Sequence, residues 1–371
     1  MKILFLSSWF PNKLEPTNGN FVQRHAEAVA MKQDVEILHT IGDFNQKETF
    51  VFDDKVINGI RTLVIYYKNS KNPIQNFIRR MKAYKMGFAK MQKPDLVHAN
   101  VLHNNMLFAV YLKKKFKIPF VVTEHWTALR KINQNSTSGS VKKIAKFIGN
   151  QSSMILPVSN DLKISLGELG ITTPMQVIPN VVDTQLFEPI NSAHNDFTFV
   201  HISNLIPRKN ADKILSVAIK LLKEGYKLKL KIGGDGETKT LREIVKKEGF
   251  ENQIEVFDTL TLPEVSEKLK TSDCFVLFSN DENQPCVIAE SFASGIKVIS
   301  TNVGGISEFF PNDFGILVDE PDELLLENAM KKLLNEREIT NKKEIADYAE
   351  KTFSKTAIAE QFTAVYEKIL N

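Results

Sequence analysis

Residues 274–308 read Cys274-Phe-Val-Leu-Phe-Ser-Asn-Asp-Glu282-Asn-Gln-Pro-Cys-Val-Ile-Ala-Glu290-Ser-Phe-Ala-Ser-Gly295-Ile-Lys-Val-Ile-Ser-Thr-Asn-Val-Gly304-Gly305-Ile-Ser-Glu308. The opening apolar run, bounded by polar residues, reads as a buried strand. Ser279 to Gln284 is a polar loop. Pro285 stands where a helix begins, since its missing N–H costs nothing in the first turn. Val287, Ile288, Ser291 and Phe292 keep helical spacing, and Gly295 ends the helix. Lys297 to Ser300 is the next strand, and it leads into a glycine pair. Two carboxylates sit on this unit: Glu282 in the loop after the strand, Glu290 one to two turns into the helix. Ligands of open α/β sheets bind outside the carboxyl ends of the strands. Helix N-termini and free amides there favour phosphate. A carboxylate is a poor phosphate ligand, so both Glu side chains are expected to accept hydrogen bonds from hydroxyls. Ribose and a sugar ring are the hydroxyl-rich groups that stand beside a diphosphate.

Working outward, the same alternation of strand, loop and helix recurs in two blocks, which predicts two doubly wound α/β domains. In the second block Phe197 to Ile202 is a strand followed by the loop Ser203 to Asn210, with Arg208-Lys209 in it. Lys227 to Ile232 runs into Gly233-Gly234-Asp235-Gly236. Ile254 to Phe257 is a further strand, and Pro263 to Thr271 is a helix that returns to the central stretch. In the first block Met1 to Ser7 is a strand, Asn12 to Asn20 a polar loop containing Gly19, and Val35 to His39 the second strand. Phe21, His25, Ala28 and Val29 have helical spacing between them. Asp95 to Asn100, Phe120 to Trp126 and Ile155 to Ser159 read as further strands, and Ser159-Asn160 caps a helix. Residues 129–140 read as a flexible polar loop. G-x-G-x-x-G is absent, so a nicotinamide or flavin site is not indicated. Val177 to Asp183 reads as the crossing between domains, with a polar linker following Pro189 as far as Asp196. Pro321 to Leu334 and Lys343 to Leu370 are helical by spacing.

A chain of 371 residues suits two domains of ordinary size, and 43% hydrophobic with 25% charged residues is normal for a globular protein. Two cysteines, Cys274 and Cys286, make no disulfide framework, and a reduced cytosolic setting is the simplest expectation. No signal peptide is read at the N-terminus, and no apolar run approaches the ~18 residues of a membrane span. Net charge is only +4, but basic residues cluster in the first half: Arg79, Arg80, Lys82, Lys85, Lys90 and Lys93; Lys113 to Lys115 with Lys117; and Lys142, Lys143 and Lys146. Solvated helix faces explain them, and so does a face that meets anionic lipid or a lipid-diphosphate acceptor. Nucleic acid is not indicated, because no aromatic interleaving or binding motif accompanies the charge.

Glu282 and Glu290, seven residues between them, followed by Gly295, a strand, Gly304-Gly305 and Glu308, resemble the signature of retaining family 4 glycosyltransferases of the GT-B fold. The resemblance covers nearly the whole chain and is strongest over 197–310. It implies two Rossmann-like domains facing a central cleft: an acceptor-side domain over 1–180, with a terminal helix of about 355–371 packing back on it, and a donor domain over 181–354. It implies Glu290 as the ribose ligand and Glu282 as the carboxylate beside the donor sugar. Backbone amides of Asn283, Gln284 and Pro285's neighbourhood would help hold sugar and phosphate, although these residues replace the family's usual glycines. Lys209 matches the family lysine that neutralises the diphosphate. The partner arginine is replaced by Asn204, and Arg208 is the candidate substitute. Gly234 matches a turn where chain and nucleotide approach, Gly304 and Gly305 offer amides near the phosphates, and Gly19 matches the glycine after the first strand. By itself Gly19 is an ordinary turn glycine. His125 matches a histidine that contacts the transferred sugar, and His98 a less diagnostic one. A buried strand-end histidine is otherwise most often structural. Asn180 is either a cleft residue or a plain turn residue.

The expected activity is transfer of a sugar from a nucleotide-diphosphate sugar, UDP favoured, to a glycan or lipid-linked acceptor. The resemblance implies retention of anomeric configuration and a role in surface polysaccharide or glycolipid synthesis, in the cytoplasm or at the inner membrane face. No cofactor or metal is expected, since the chain has no D-x-D triplet and no zinc-type cluster. Two alternatives stay open on the sequence: a nucleotide-sugar epimerase of the same fold, and a non-catalytic lipid- or partner-binding module.

Overall fold

Strands that read as near-continuous apolar runs must be covered on both faces. In a computed structural model, which describes residues 1–190, 196–336 and 341–371, they form two mainly parallel sheets with helices on both sides. Most of the polar linker expected before Asp196 lies outside the described residues. The chain divides into two units, Met1–Val181 together with Lys355–Asn371, and Val182–Ser354.

The first unit contains β1 (Lys2–Ser7), α1 (Asn20–Ala30), β2 (Asp34–Asp43), β3 (Phe50–Ile57), β4 (Ile60–Lys68), α2 (Pro73–Phe88) and β5 (Leu96–Asn100). It continues with α3 (Leu107–Phe116), β6 (Phe120–Glu124), α4 (Gly139–Gln151), β7 (Met154–Pro157) and α5 (Asn160–Glu168). The sheet order is β3-β4-β2-β1-β5-β6-β7, parallel except for β3. The β3–β4 hairpin was not read from sequence. Its signal was Asn58-Gly59, whose φ values of 49° and 81° make the turn that matches strand twist. One face is packed by α2, α3 and α4 through Tyr84, Phe108 and Ile148. The other is packed by α1 and the terminal helix (Lys355–Leu370) through Val22, Val29, Ile358 and Phe362.

The second unit contains β8 (Phe197–Ser203), α6 (Ala211–Lys223), β9 (Leu228–Gly234), α7 (Lys239–Glu248), β10 (Ile254–Phe257) and α8 (Leu262–Lys270). Then follow β11 (Cys274–Leu277), α9 (Cys286–Ala293), β12 (Lys297–Thr301), β13 (Gly315–Val318), α10 (Glu323–Asn335) and α11 (Lys342–Phe353). All strands are parallel, in the order β10-β9-β8-β11-β12-β13. Winding therefore runs outward from β8 to β10, then restarts on the other side of β8 with β11. β13 is a strand that sequence reading did not assign.

The helical stretch from Lys343 to Leu370 is two helices that meet at Ser354, whose ψ of 155° ends the first, and the second begins at Lys355 where a separate terminal helix was expected. One expectation is corrected. Residues 129–140, read as a flexible loop, instead hold a short 3-10 turn, Lys131–Asn133, and the first residues of α4. The segment is tied down: buried Arg130 pairs with Asp161 at 2.6 Å, and the Gln134 amide donates to the Leu129 and Ser165 carbonyls. Both cysteines are free, and burial pushes the Cys274 thiol up.

The terminal helix belongs to the first unit's core, so truncating a side chain there should be costly. Phe362 is fully buried among α1 and its own helix, with its ring 5.2 Å from His25 and 5.1 Å from His98. Phe362→Ala is expected to destabilise the fold by about 3–5 kcal/mol, read as a drop in the chemical denaturation midpoint at unchanged slope.

Candidate functional site

In a parallel sheet all carboxyl ends share one edge, and the point where winding reverses opens a crevice there. In the second unit that point lies between β8 and β11. The loop after β8 carries Arg208 and Lys209, and the loop after β11 carries Glu282. The structure brings them together: the Lys209 ammonium pairs with the Glu282 carboxylate. Their side chains are only 12% and 7% exposed. The Arg208 guanidinium lies 3.8 Å from the Asp281 carboxylate, and the Asn280 amide donates to the Arg208 carbonyl at 2.8 Å. Asn210 ties the same two loops by donating to Phe278 O and Asn280 Oδ1 at 2.8 and 2.7 Å.

Around this pair the other expected residues assemble on the same edge. Asn283, Gln284 and Glu290 are buried, and Pro285 is the residue from which α9 starts. Gly305 N donates to Asn283 O at 3.0 Å, so the glycine pair after β12 is held against the Glu282 loop. Gly304 has φ 61°. Gly234 ends β9 at φ 135°, where a Cβ would stand 1.9 Å from Ser203 O. Only glycine allows β8 and β9 to end so close together. Asn204 is exposed and leaves no cation at the position it occupies.

Sequence reading missed His201. It lies on β8 beneath the pair, bonded to Val276 O at 2.8 Å and Ser203 Oγ at 2.9 Å. Burial first, then the nearby Lys209 charge, lower its pKa to about 4, against a hydrogen bond that raises it. A neutral ring is thus kept under an ion pair. No local motif marks it, since an inward strand position looks the same for any buried residue.

In the first unit, winding reverses between β1 and β5. Gly19 closes the loop after β1 and opens α1 at φ 80°, with a would-be Cβ 2.4 Å from the Trp9 carbonyl. That contact and the left-handed backbone make glycine obligatory, which an ordinary turn would not. His125 follows β6. Its ring packs 4.3 Å from Phe21 and 5.3 Å from His25, and its side chain hydrogen-bonds Asn180. Asn180 is thereby a support for His125. Burial holds the His125 pKa well below the usual histidine value, so the imidazole is neutral at pH 7. His98 is a structural histidine: its Nδ1 meets Tyr366 Oη and its Nε2 meets Thr123 Oγ1, both at 2.6 Å inside the core. Glu308 lies in a short 3-10 turn after the glycine pair.

With this geometry in view, comparison with known proteins is decisive. The model for Glycosyltransferase Family 4 matches residues 19–186, and that for glycosyl transferases group 1 matches residues 182–352. The chain belongs to the GT-B glycosyltransferases. This glycosyltransferase is 26% identical over 299 residues to N-acetyl-alpha-D-glucosaminyl L-malate synthase of Bacillus anthracis, covering 76% of this chain and 77% of that one. It is 28% identical over 198 residues to a phosphatidylinositol N-acetylglucosaminyltransferase subunit from Arabidopsis thaliana, covering 52% of this chain but only 44% of that relative's length. Its fold matches the crystal structure of Anabaena HepE in complex with UDP, with a TM-score of 0.78 at 17% identity over 99% of this chain and 100% of that one.

The ion pair gives a stability test that does not depend on substrate. Lys209→Met leaves the Glu282 carboxylate buried without its cation, and a broken buried pair costs about 3 kcal/mol or more. Lys209→Met combined with Glu282→Gln is expected to recover most of that loss, as read by a double-mutant cycle in denaturant.

Proposed function

We propose that this glycosyltransferase moves a hexose from a UDP-hexose to a hydroxyl of a glycan or lipid-linked acceptor, with retention of anomeric configuration. The observation that carries the reading is the meeting of Lys209 and Glu282 at the β8/β11 reversal, with Glu290 on the helix that follows. UDP is favoured because a protein of the same fold is described in complex with it.

In this reading Glu290 accepts from the ribose hydroxyls. Lys209 turns from Glu282 to the diphosphate, with Arg208 and the amides of Asn283, Gln284 and Gly304 as further donors; the Gly305 amide, expected to be another, is instead spent on the Asn283 carbonyl. Glu282, relieved of its cation, accepts from a sugar hydroxyl. Pairing with each other keeps a buried lysine and a buried carboxylate from standing alone. As the bond from the anomeric carbon to the phosphate oxygen breaks, that oxygen takes the electron pair, and Lys209 with the amides stabilises it. The acceptor hydroxyl attacks from the same face, and its proton passes to the departing phosphate oxygen. Neutral His125 suits a hydrogen bond to a sugar hydroxyl rather than neutralisation of phosphate. Gly19 allows backbone at the start of α1 to approach the ligand. The reaction is read as metal-independent, and activity that survives EDTA is the corresponding outcome.

Calorimetry with UDP, GDP and ADP tests the donor site. UDP is expected to bind, and Glu290→Ala to weaken it about 10- to 100-fold, the worth of a charged hydrogen bond to ribose. Equal affinity in wild type and variant would remove Glu290 from the site. Mass spectrometry of UDP-hexose mixtures then separates transfer or hydrolysis from epimerisation.

The first unit suggests where the acceptor is met. The helices α2, α3 and α4, which cover one face of the sheet, contain Arg79, Arg80, Lys82, Lys85, Lys113 to Lys115, Lys142, Lys143 and Lys146, and no acidic residue. Exposed Ile74, Ile78, Phe116 and Phe147 lie among these charges. The three helices are continuous, since Lys85 sits over the Tyr111 ring and Lys114 over Phe147. On the opposite face, α1 and the terminal helix carry both signs. Single-sign charge with apolar tips fits an anionic membrane surface, at ~1 kcal/mol per basic residue. No helix among the described residues is long and apolar enough to cross a membrane. Co-sedimentation with phosphatidylcholine vesicles is expected only when phosphatidylglycerol is included. Lys85→Glu, Lys114→Glu and Lys143→Glu together should reduce it by about 100-fold.

A further inference from the structure

We propose that Glu124 is a positioning residue, whose carboxylate sets the place of His125. The proposal rests on the reading of His125 as the group beside the transferred sugar. Glu124 is the last residue of β6 and is fully buried. One carboxylate oxygen accepts from two consecutive amides, His125 N at 2.8 Å and Trp126 N at 2.7 Å. The other accepts from Leu102 N at 2.6 Å, in the loop after β5. The side chain thus bolts the exit of β6 to the exit of β5.

The loop it grips is held in an unusual conformation. Val101, next to Leu102, has φ 69°, a backbone that β-branched residues avoid. Its amide is anchored to Thr123 O at 2.9 Å, one residue before Glu124. On the other side the Glu124 carbonyl accepts from Val158 N at 3.3 Å, after β7. Three strand ends therefore converge on one residue. Beyond it, the His125 ring is fixed by Asn180 and Phe21, and the Trp126 ring packs 6.1 Å from Trp9 and 5.8 Å from His103.

The chemistry demands a carboxylate rather than its isosteres. Three N–H groups aim at the side chain, and both oxygens must accept. A glutamine keeps one accepting oxygen and turns its own N–H toward a donor. An aspartate is one methylene too short to reach both loops. A buried carboxyl held by backbone amides is a costly way to join two turns, which a neutral residue would avoid if joining were its whole purpose. Burial pushes the Glu124 carboxyl up to about 7, opposed by the three amides.

Two kinds of measurement test the proposal on the full chain. The first needs no ligand: the backbone amides of Leu102, His125 and Trp126 are followed by NMR. In wild type all three are expected to be protected from hydrogen exchange. In Glu124→Gln the Leu102 amide should lose protection and the His125 and Trp126 resonances should shift, while the far edge of the sheet around β4 does not. Exposed amides in wild type would overturn the tie itself, even if no variant folds. The second uses turnover of UDP-glucose, UDP-galactose and UDP-N-acetylglucosamine, with UDP affinity measured separately. Glu124→Gln is expected to lower kcat at least tenfold with UDP affinity unchanged, and to add nothing in a His125→Ala background. A kcat within twofold of wild type, or losses that multiply in the double variant, would overturn positioning through His125. If wild type turns over none of these donors, the functional reading fails, and the amide result still decides the tie.

Discussion

Lys209 and Glu282 are 73 residues apart in the chain and share one ion pair. They meet because β8 and β11 are neighbours, and those strands are neighbours because winding of the second sheet reverses there. Every other candidate donor-side feature is arranged around that reversal. Gly234 allows β9 to end against β8, Gly305 is pinned to Asn283, and Asn210 laces the two loops together. Opposite charges in a low-dielectric crevice interact strongly only when both are held and hydrogen-bonded. The surrounding loops do the holding.

The two units solve the matter of buried polarity differently. In the second, opposite charges face each other across a strand reversal. In the first, His25, His98 and His125 lie together inside the fold as neutral rings, each lowered chiefly by burial. They are wedged by Phe5, Phe21, Phe362 and Tyr366. The terminal helix is part of this arrangement, since Tyr366 completes the hydrogen bonding of His98. A helix made from the last residues of the chain thus supports the same core as its first strand.

Membership of the GT-B glycosyltransferases sets the fold and the general reaction. Donor sugar, acceptor and stereochemistry are matters of individual loops, as function is generally carried by sites grafted on a shared fold. Here those loops depart from the usual pattern at Asn204 and at Asn283-Gln284-Pro285, and the structure shows what stands there instead. Arg208 lies along the Glu282 loop, and Asn283 and Gln284 are buried rather than open.

Much of this was legible in the residues alone. Strand, loop and helix at Cys274–Gly295, the glycine turns and the spacing of Glu282 and Glu290 are local patterns, and local patterns follow from periodicity and backbone sterics. Asn58-Gly59 is a local hairpin signal of the same kind, since both residues take positive φ. What tertiary structure alone decided is which distant residues meet. His98 reads like a site histidine until Tyr366 and Thr123 are seen to occupy it. Glu124 and His201 carry no motif, since their partners are mostly backbone groups brought near by strand order. Sequence specifies such contacts only through the packing of the whole sheet, where many weak terms sum to one arrangement.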